Sequence, residues 1–250
     1  MRLSAALLAA CALIAAAPPQ NAVDPALSSA VAAVGARGVA SLRSVVLTGS
    51  TRNLIGSTGK LSAQRPLEIR VSLPDKYLSV VKRDAVELRS GFDGQTLLNA
   101  SKALAADTTY GSTYGAEQIG IERARFARLM LSMFALSGKA VPLVFKPANA
   151  TTIVATGAGD EVTTLELDPA TGVPARIRHQ GKVRLPAPRS PTPTEPQQIE
   201  IIWTFGDRRN VSGINVAHRI VRSAGEHVLE EITFTSVVVN PALSEKDFTR

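Results

Sequence analysis

Apolar residues recur at every second position through much of the chain, the period of a strand with one face buried. Leu67, Ile69, Val71 and Leu73 give one such run, and residues 43–52, 77–83, 85–90 and 95–100 are β-branched or alternate in the same way. In the second half, residues 153–156, 161–167, 174–180, 199–205, 215–222 and 227–239 repeat the pattern. Turn chemistry separates these runs: Gly56 and Gly59, Phe92-Asp93-Gly94, Asp168-Pro169-Ala170-Thr171-Gly172, and Ala224-Gly225. Two segments depart from the strand period. Asp24 before Pro25 is an N-cap with proline at the first helical position, which predicts a helix over residues 25–37. Residues 117–136 predict the longest helix, with Gln118, Glu122, Arg125, Arg128 and Ser132 on one face and Ile119, Phe126, Met130, Met133 and Phe134 on the other. Residues 102–115 have no period and read as a surface loop, and five prolines within residues 186–196 predict an extended connection. The expected fold class is α+β, mostly β: a curled antiparallel sheet with two helices packed over its concave face.

The first residues belong to a different pattern. Arg2 precedes an apolar and small-residue run from Ala5 to Ala17, the charged and hydrophobic regions of a secretory signal. At about 13 residues the run is short of the roughly 20 that span a bilayer, and no later stretch is longer. The expected organisation is a signal peptide over residues 1–17, with cleavage as late as Ala22, followed by a single domain over residues 23–250 in a periplasmic or secreted setting. Leu8-Ala9-Ala10-Cys11 also matches a lipoprotein signal box, whose cysteine would be acylated and anchor the protein. The apolar residues after Cys11 favour the ordinary signal, because a lipoprotein tether is normally polar. In that case the mature chain holds no cysteine, which removes disulfides and thiol chemistry.

The formal charge of +7 favours acidic partners. The basic residues are dispersed, however, and one Trp and three Tyr give little for bases to stack on, so no nucleic-acid partner is expected. The search for catalytic chemistry is mostly negative. His179, His218 and His227 are the only histidines, all in predicted strands and without metal-ligand spacing. A two-residue turn at Ala224-Gly225 would set Arg222 opposite His227 and Glu231 opposite His218, which suits cross-strand pairs rather than a metal cage. No Gly-x-Ser-x-Gly elbow and no phosphate loop are present. The expectation is a non-enzymatic domain with no cofactor and no metal.

The order of elements carries a resemblance. A helix, a meander, a central helix, then Asp168-Pro169-Ala170-Thr171-Gly172-Val173-Pro174-Ala175-Arg176, the strand Trp203-Thr204-Phe205, Gly213-Ile214, and finally Val239-Asn240-Pro241-Ala242-Leu243 with Phe248, resemble the outer-membrane lipoprotein-sorting (LolA-like) superfamily. The resemblance implies an unclosed half-barrel with helices plugging its mouth and an apolar cavity that accepts acyl chains. Its motifs are turn chemistry rather than binding chemistry, and the proline-rich insertion departs from the shorter members. If a ligand is bound, Phe126, Met130, Met133 and Phe134 are the candidate cavity residues, since methionine adapts to variable apolar guests. The same four also serve as the ordinary core that any amphipathic helix buries. Arg123, Arg125 and Arg128 are candidates for an anionic head group, although a solvated helix face is the reading their pattern favours. Two functions stand: an exported carrier of lipid or acylated protein, and an envelope interaction or sensor module that uses the same fold against a protein partner. Intact-mass measurement of the chain recovered from its export compartment is expected to give an unmodified product that begins between residues 18 and 23. A product that begins at an acylated Cys11 would establish the anchored alternative.

Overall fold

The computed structural model describes residues 25–249, apart from 57, 99, 104–107, 112–115, 136–143, 158–161 and 187–194. The segment expected to be a signal peptide, with Cys11, and most of the proline-rich connection lie outside the described residues.

The chain begins with α1 (Pro25–Val34) and α2 (Ala36–Ser41) and continues through the strands β1 (Ser44–Ile55), β2 (Lys60–Leu61), β3 (Arg65–Ser72), β4 (Lys76–Arg83), β5 (Val86–Asp93), β6 (Ala100–Ala103) and β7 (Thr108–Gly111). The long helix α3 (Ala116–Phe134) follows. A second set of strands comprises β8 (Val144–Asn149), β9 (Thr152–Thr156), β10 (Val162–Leu167), β11 (Pro174–Val183), β12 (Gln197–Val211), β13 (Ile214–Ala224) and β14 (His227–Val239), before a short 3-10 helix (Glu245–Phe248). All pair antiparallel in one sheet, in the order β7-β6-β5-β4-β3-β1-β14-β13-β12-β11-β10-β9-β8, with β2 attached to β1. The two meanders are joined where β1 lies against β14, from Val45 opposite Val239 to Asn53 opposite Glu230. The sheet is not closed: β7 and β8 are its two edges.

Alternation along each strand decides what the sheet buries. Leu67, Ile69 and Val71 are buried in β3 while Glu68 and Arg70 between them are half-exposed. Ile201, Trp203 and Phe205 are buried in β12, and Ile214, Val216, Ile220 and Ala224 in β13. All of these but Ala224 belong to one continuous core that fills the concave side and also takes in α1 and α3. A second, small cluster lies on the other face, where Leu243 and Phe248 of the C-terminal segment cover the outward-facing Leu78 and Val80 of β4. Ser244 and Asp247 close a capping box there, and Arg70 pairs with Asp247 at 3.8 Å.

Bends in the sheet fall at register shifts. In β1 the shift lies between Thr48 and Gly49, and a Cβ on Gly49 would stand 2.0 Å from the Thr233 carbonyl oxygen, so the close passage of β14 requires glycine. The Asp168 hairpin forms as its sequence predicts: the carboxylate accepts from the Ala170 and Thr171 backbone N–H groups at 3.0 and 2.8 Å and from the Thr171 hydroxyl at 2.9 Å.

Four local expectations are corrected. The first helix does not run through residue 37. It breaks at Gly35, whose φ of +118° no L side chain adopts readily. The segment expected as a surface loop contains β6 and β7, paired from Ala100 opposite Gly111 to Ala103 opposite Thr108. Of the strand expected over residues 95–100, Gln95 and Thr96 form a bend after β5, Leu97 makes a single bridge to Phe92, and Ala100 opens β6. The last hairpin turns on Gly225-Glu226, with Ala224 opposite His227. A bulge between Arg222 and Ser223 then shifts the register, so Arg222 faces Glu230 rather than His227, and the His218 ring meets the Phe234 carbonyl rather than Glu231.

The break at Gly35 lets both short helices settle on the β12–β13 turn. A Cβ on Gly35 would lie 2.1 Å from the Gly213 carbonyl oxygen, and one on Gly38 would lie 2.5 Å from Ile214 Cγ1. Gly35→Ala adds a left-handed strain to a backbone clash and is expected to cost about 2–4 kcal/mol in urea unfolding. Gly56→Ala, where a Cβ meets nothing within 4 Å, is expected to stay within about 0.5 kcal/mol of the parent.

Candidate functional site

The concave side of the sheet is covered by α3, and the helix divides that interior into an apolar and a polar part. Phe126, Met130, Met133 and Phe134 are all buried, with Met130, Met133 and Phe134 fully so. Phe126 meets Tyr77 of β4 and Phe92 of β5, with ring centroids 5.6 and 5.4 Å away, the second pair edge to face. The four residues expected to line an apolar cavity therefore form one apolar ceiling over the strands.

Arg208 fixes the C-terminal end of the helix. It stands on β12 next to Asp207, whose φ is +50°, and opposite Ala217 of β13. Its guanidinium donates to the Asn215 carbonyl at 2.8 Å, to the Ser132 carbonyl in the last turn of α3 at 3.3 Å, and to the Pro174 carbonyl. Burial brings its pKa down to about 10. The negative end of the helix dipole compensates part of that burial.

The polar part begins half a helix earlier. Glu122 of α3 is buried, and Arg125, one turn on, reaches Glu230 of β14 at 3.5 Å. Glu230 is buried too. It accepts from Thr51 of β1 at 3.4 Å and from Arg222 of β13 at 2.6 Å. The Arg222 guanidinium lies over the Trp203 ring of β12, 5.2 Å from its centroid. The Trp203 indole N–H donates to His179 Nε2 at 3.2 Å, which leaves His179 Nδ1 as the donor to the Gln180 carbonyl at 3.0 Å. Arg128 of α3, also buried, donates to Thr163 of β10 at 3.3 Å. A seam of charges of alternating sign, Glu122, Arg125, Glu230, Arg222, thus runs from the helix across to β13 and ends on an aromatic and a histidine.

The seam shifts the titration of its members. Burial raises the Glu230 carboxyl, but Arg125 and Arg222 outweigh it and hold the group below the usual carboxylate range. Tyr77, Glu230 and Glu122 around Arg125 hold that guanidinium above the ordinary arginine range despite its burial. Burial raises the Tyr77 hydroxyl, with Arg125 opposing. Burial, then Arg128, lowers His179 from 6.5 to about 4, so the ring is neutral.

Of the three arginines expected to meet a head group, Arg123 is exposed, Arg125 is half-buried in its pair with Glu230, and Arg128 is buried against Thr163. Glu122, Arg128 and Ser132, assigned to the polar face, are buried as well. The strand members of the seam escaped sequence reasoning, although one signal was present. Arg222 shares its strand phase with Ile220 and Ala224, and Glu230 shares its phase with Ile232 and Phe234, so each charge stands in a row of inward-facing apolar residues. Among the described residues no three His, Cys, Asp or Glu side chains group as metal ligands, and no helix is long and apolar enough to cross a membrane.

No family model matches this chain, and no curated protein does. Solved structures do. A DUF1329 family protein from Desulfovibrio piger superposes with a TM-score of 0.51 at 11% identity, over 90% of this chain and 97% of the other. A LolA superfamily protein from Nitrosomonas europaea superposes with a TM-score of 0.50 at 8% identity, over 90% and 96%. At such identities the likeness is one of fold, and it extends over nearly the whole of both chains.

Two measurements probe the seam. Glu230→Gln leaves Arg125 and Arg222 in the interior without their counter-charge and is expected to cost about 2–4 kcal/mol in chemical denaturation. For His179 the folded pKa lies below the unfolded one, so the unfolded chain takes up the proton first as pH falls. Stability is expected to decline between pH 6.5 and about 4, by on the order of 3 kcal/mol, and to owe nothing further to this group below that window. His179→Gln, which keeps an acceptor for the Trp203 N–H, is expected to flatten that part of the melting-temperature profile.

Proposed function

We propose that this chain is an exported, non-enzymatic carrier of lipid or acyl chains, which it shelters between α3 and the concave face of the sheet. The observation that carries the reading is the apolar ceiling of Phe126, Met130, Met133 and Phe134 laid across an unclosed sheet. A closed barrel offers no free edge by which its wall can spread, whereas β7 and β8 leave this one open. The two methionines are unbranched and adapt to guests of differing shape. A fold shared with a LolA superfamily protein is consistent with such a role, although fold alone does not assign it. The apolar run from Ala5 to Ala17 after Arg2 supports export, and outside the cytoplasm acylated proteins and phospholipids are the available cargo. Arg123, exposed on α3, and Arg125 and Arg128 on its inner side are the cations offered to an anionic group.

The test is native mass spectrometry of the protein purified from its export compartment, with extraction of whatever travels with it. Co-purifying phospholipid, fatty acid or acylated protein is the expected result. Met130→Gln keeps the length of the side chain but puts an unpartnered amide in the ceiling, and it is expected to lower uptake about tenfold or more. An empty protein that takes up no lipid when offered it overturns the reading and transfers the fold to the binding of an envelope protein.

A further inference from the structure

The seam beneath α3 has polar valences left over. Glu122, 7% exposed, keeps its Oε2 without a hydrogen-bond partner among the described residues. Arg222 spends Nη1 on Glu230 while its buried Nε has no acceptor among the described residues. His218, 4% exposed and four residues from Arg222 on the same face of β13, gives Nδ1–H to the Phe234 carbonyl and keeps Nε2 without a donor among the described residues. Each unmet group of this kind is costly in an interior, and here three stand on the concave side that α3 covers. Two of the three are acceptors and one is a donor. The complement of that set is a group with several N–H donors and one anionic acceptor.

Resting on the carrier reading, we propose that the seam is a head-group subsite for an amphiphile whose head bears a primary ammonium beside a phosphate, with the ammonium on Glu122 and the phosphate on Arg222. Glu122 repels a bare carboxylate head, and a head without N–H donors leaves its Oε2 without a hydrogen bond. Arg125 and Glu230, paired with each other between the two, keep the site neutral before the ligand arrives. Trp203 holds the Arg222 plane from behind, so Nε is directed rather than free to turn. The apolar tails then lie along Phe126, Met130, Met133 and Phe134 on the same helix.

The experiment offers the full mature chain equimolar vesicles of phosphatidylethanolamine and phosphatidylcholine with identical acyl chains, and reads the bound lipid by native mass spectrometry. The two heads carry the same charges, and the choline head has three methyl groups where the ethanolamine head has three N–H donors. The expected result is a preference of at least tenfold for the ethanolamine lipid. Glu122→Leu is expected to erase the preference while lipid is still taken up, and to raise the melting temperature of the empty protein, since it removes a buried carboxylate that has an unmet valence. Equal uptake of both lipids by the parent chain overturns the head-group inference and leaves the carrier reading standing. Uptake of neither lipid overturns both. A Glu122→Leu chain that keeps the preference overturns the assignment to this residue.

Discussion

The pairing of β1 with β14 is the contact on which the rest of the molecule depends. The first strand and the last strand meet along nine residue pairs, and that meeting turns two separate meanders into one continuous sheet. It also builds the site, because Thr51 comes from one strand and Glu230 from the other, and they share a hydrogen bond at 3.4 Å. Gly49 is the point at which the pairing can bend, since β14 passes too close for any Cβ. The contact joins residues almost two hundred positions apart, so the entropy of closing that loop must be offset by the whole interior that the joined sheet encloses.

That interior is not uniformly apolar, and its division is what gives the structure a functional interest. An apolar helix face against an apolar sheet would be the more stable solution, because buried ion pairs rarely repay their desolvation. Here Arg125, Glu230 and Arg222 are kept inside, along with His179 held neutral and Glu122 only partly satisfied. Arg208 at the other end of α3 donates to three carbonyls and no carboxylate. The helix is thus attached by polar contacts at both ends and by apolar packing between them.

Much of the architecture was legible in the sequence because strand alternation survives in one-sided sheets. Leu67, Ile69 and Val71 and the residues of β12 to β14 fall where their period places them. The Asp168 turn forms through its own side chain, and this too can be read locally. Other features depend on tertiary closure. Glu122, Arg128 and Ser132 sit on the polar face of an amphipathic helix, and helical arithmetic assigns that face to water; the curled sheet wraps far enough to bury it. The pairing of Arg222 with Glu230 rests on a one-residue bulge that the hairpin sequence does not announce. The short strands β6 and β7 lack alternation, and only their pairing with each other and with β5 identifies them.

The central claim is that the space between α3 and the concave strands is where cargo goes. Hydrogen–deuterium exchange of the mature chain, with and without phospholipid vesicles, tests this most directly because it reports each element separately. Lipid is expected to change protection in α3 and in the strands facing it, β11 and β13, while the C-terminal segment packed on the outer face of β4 exchanges as before. Unchanged exchange in α3, with changes confined to the outer face, would contradict it.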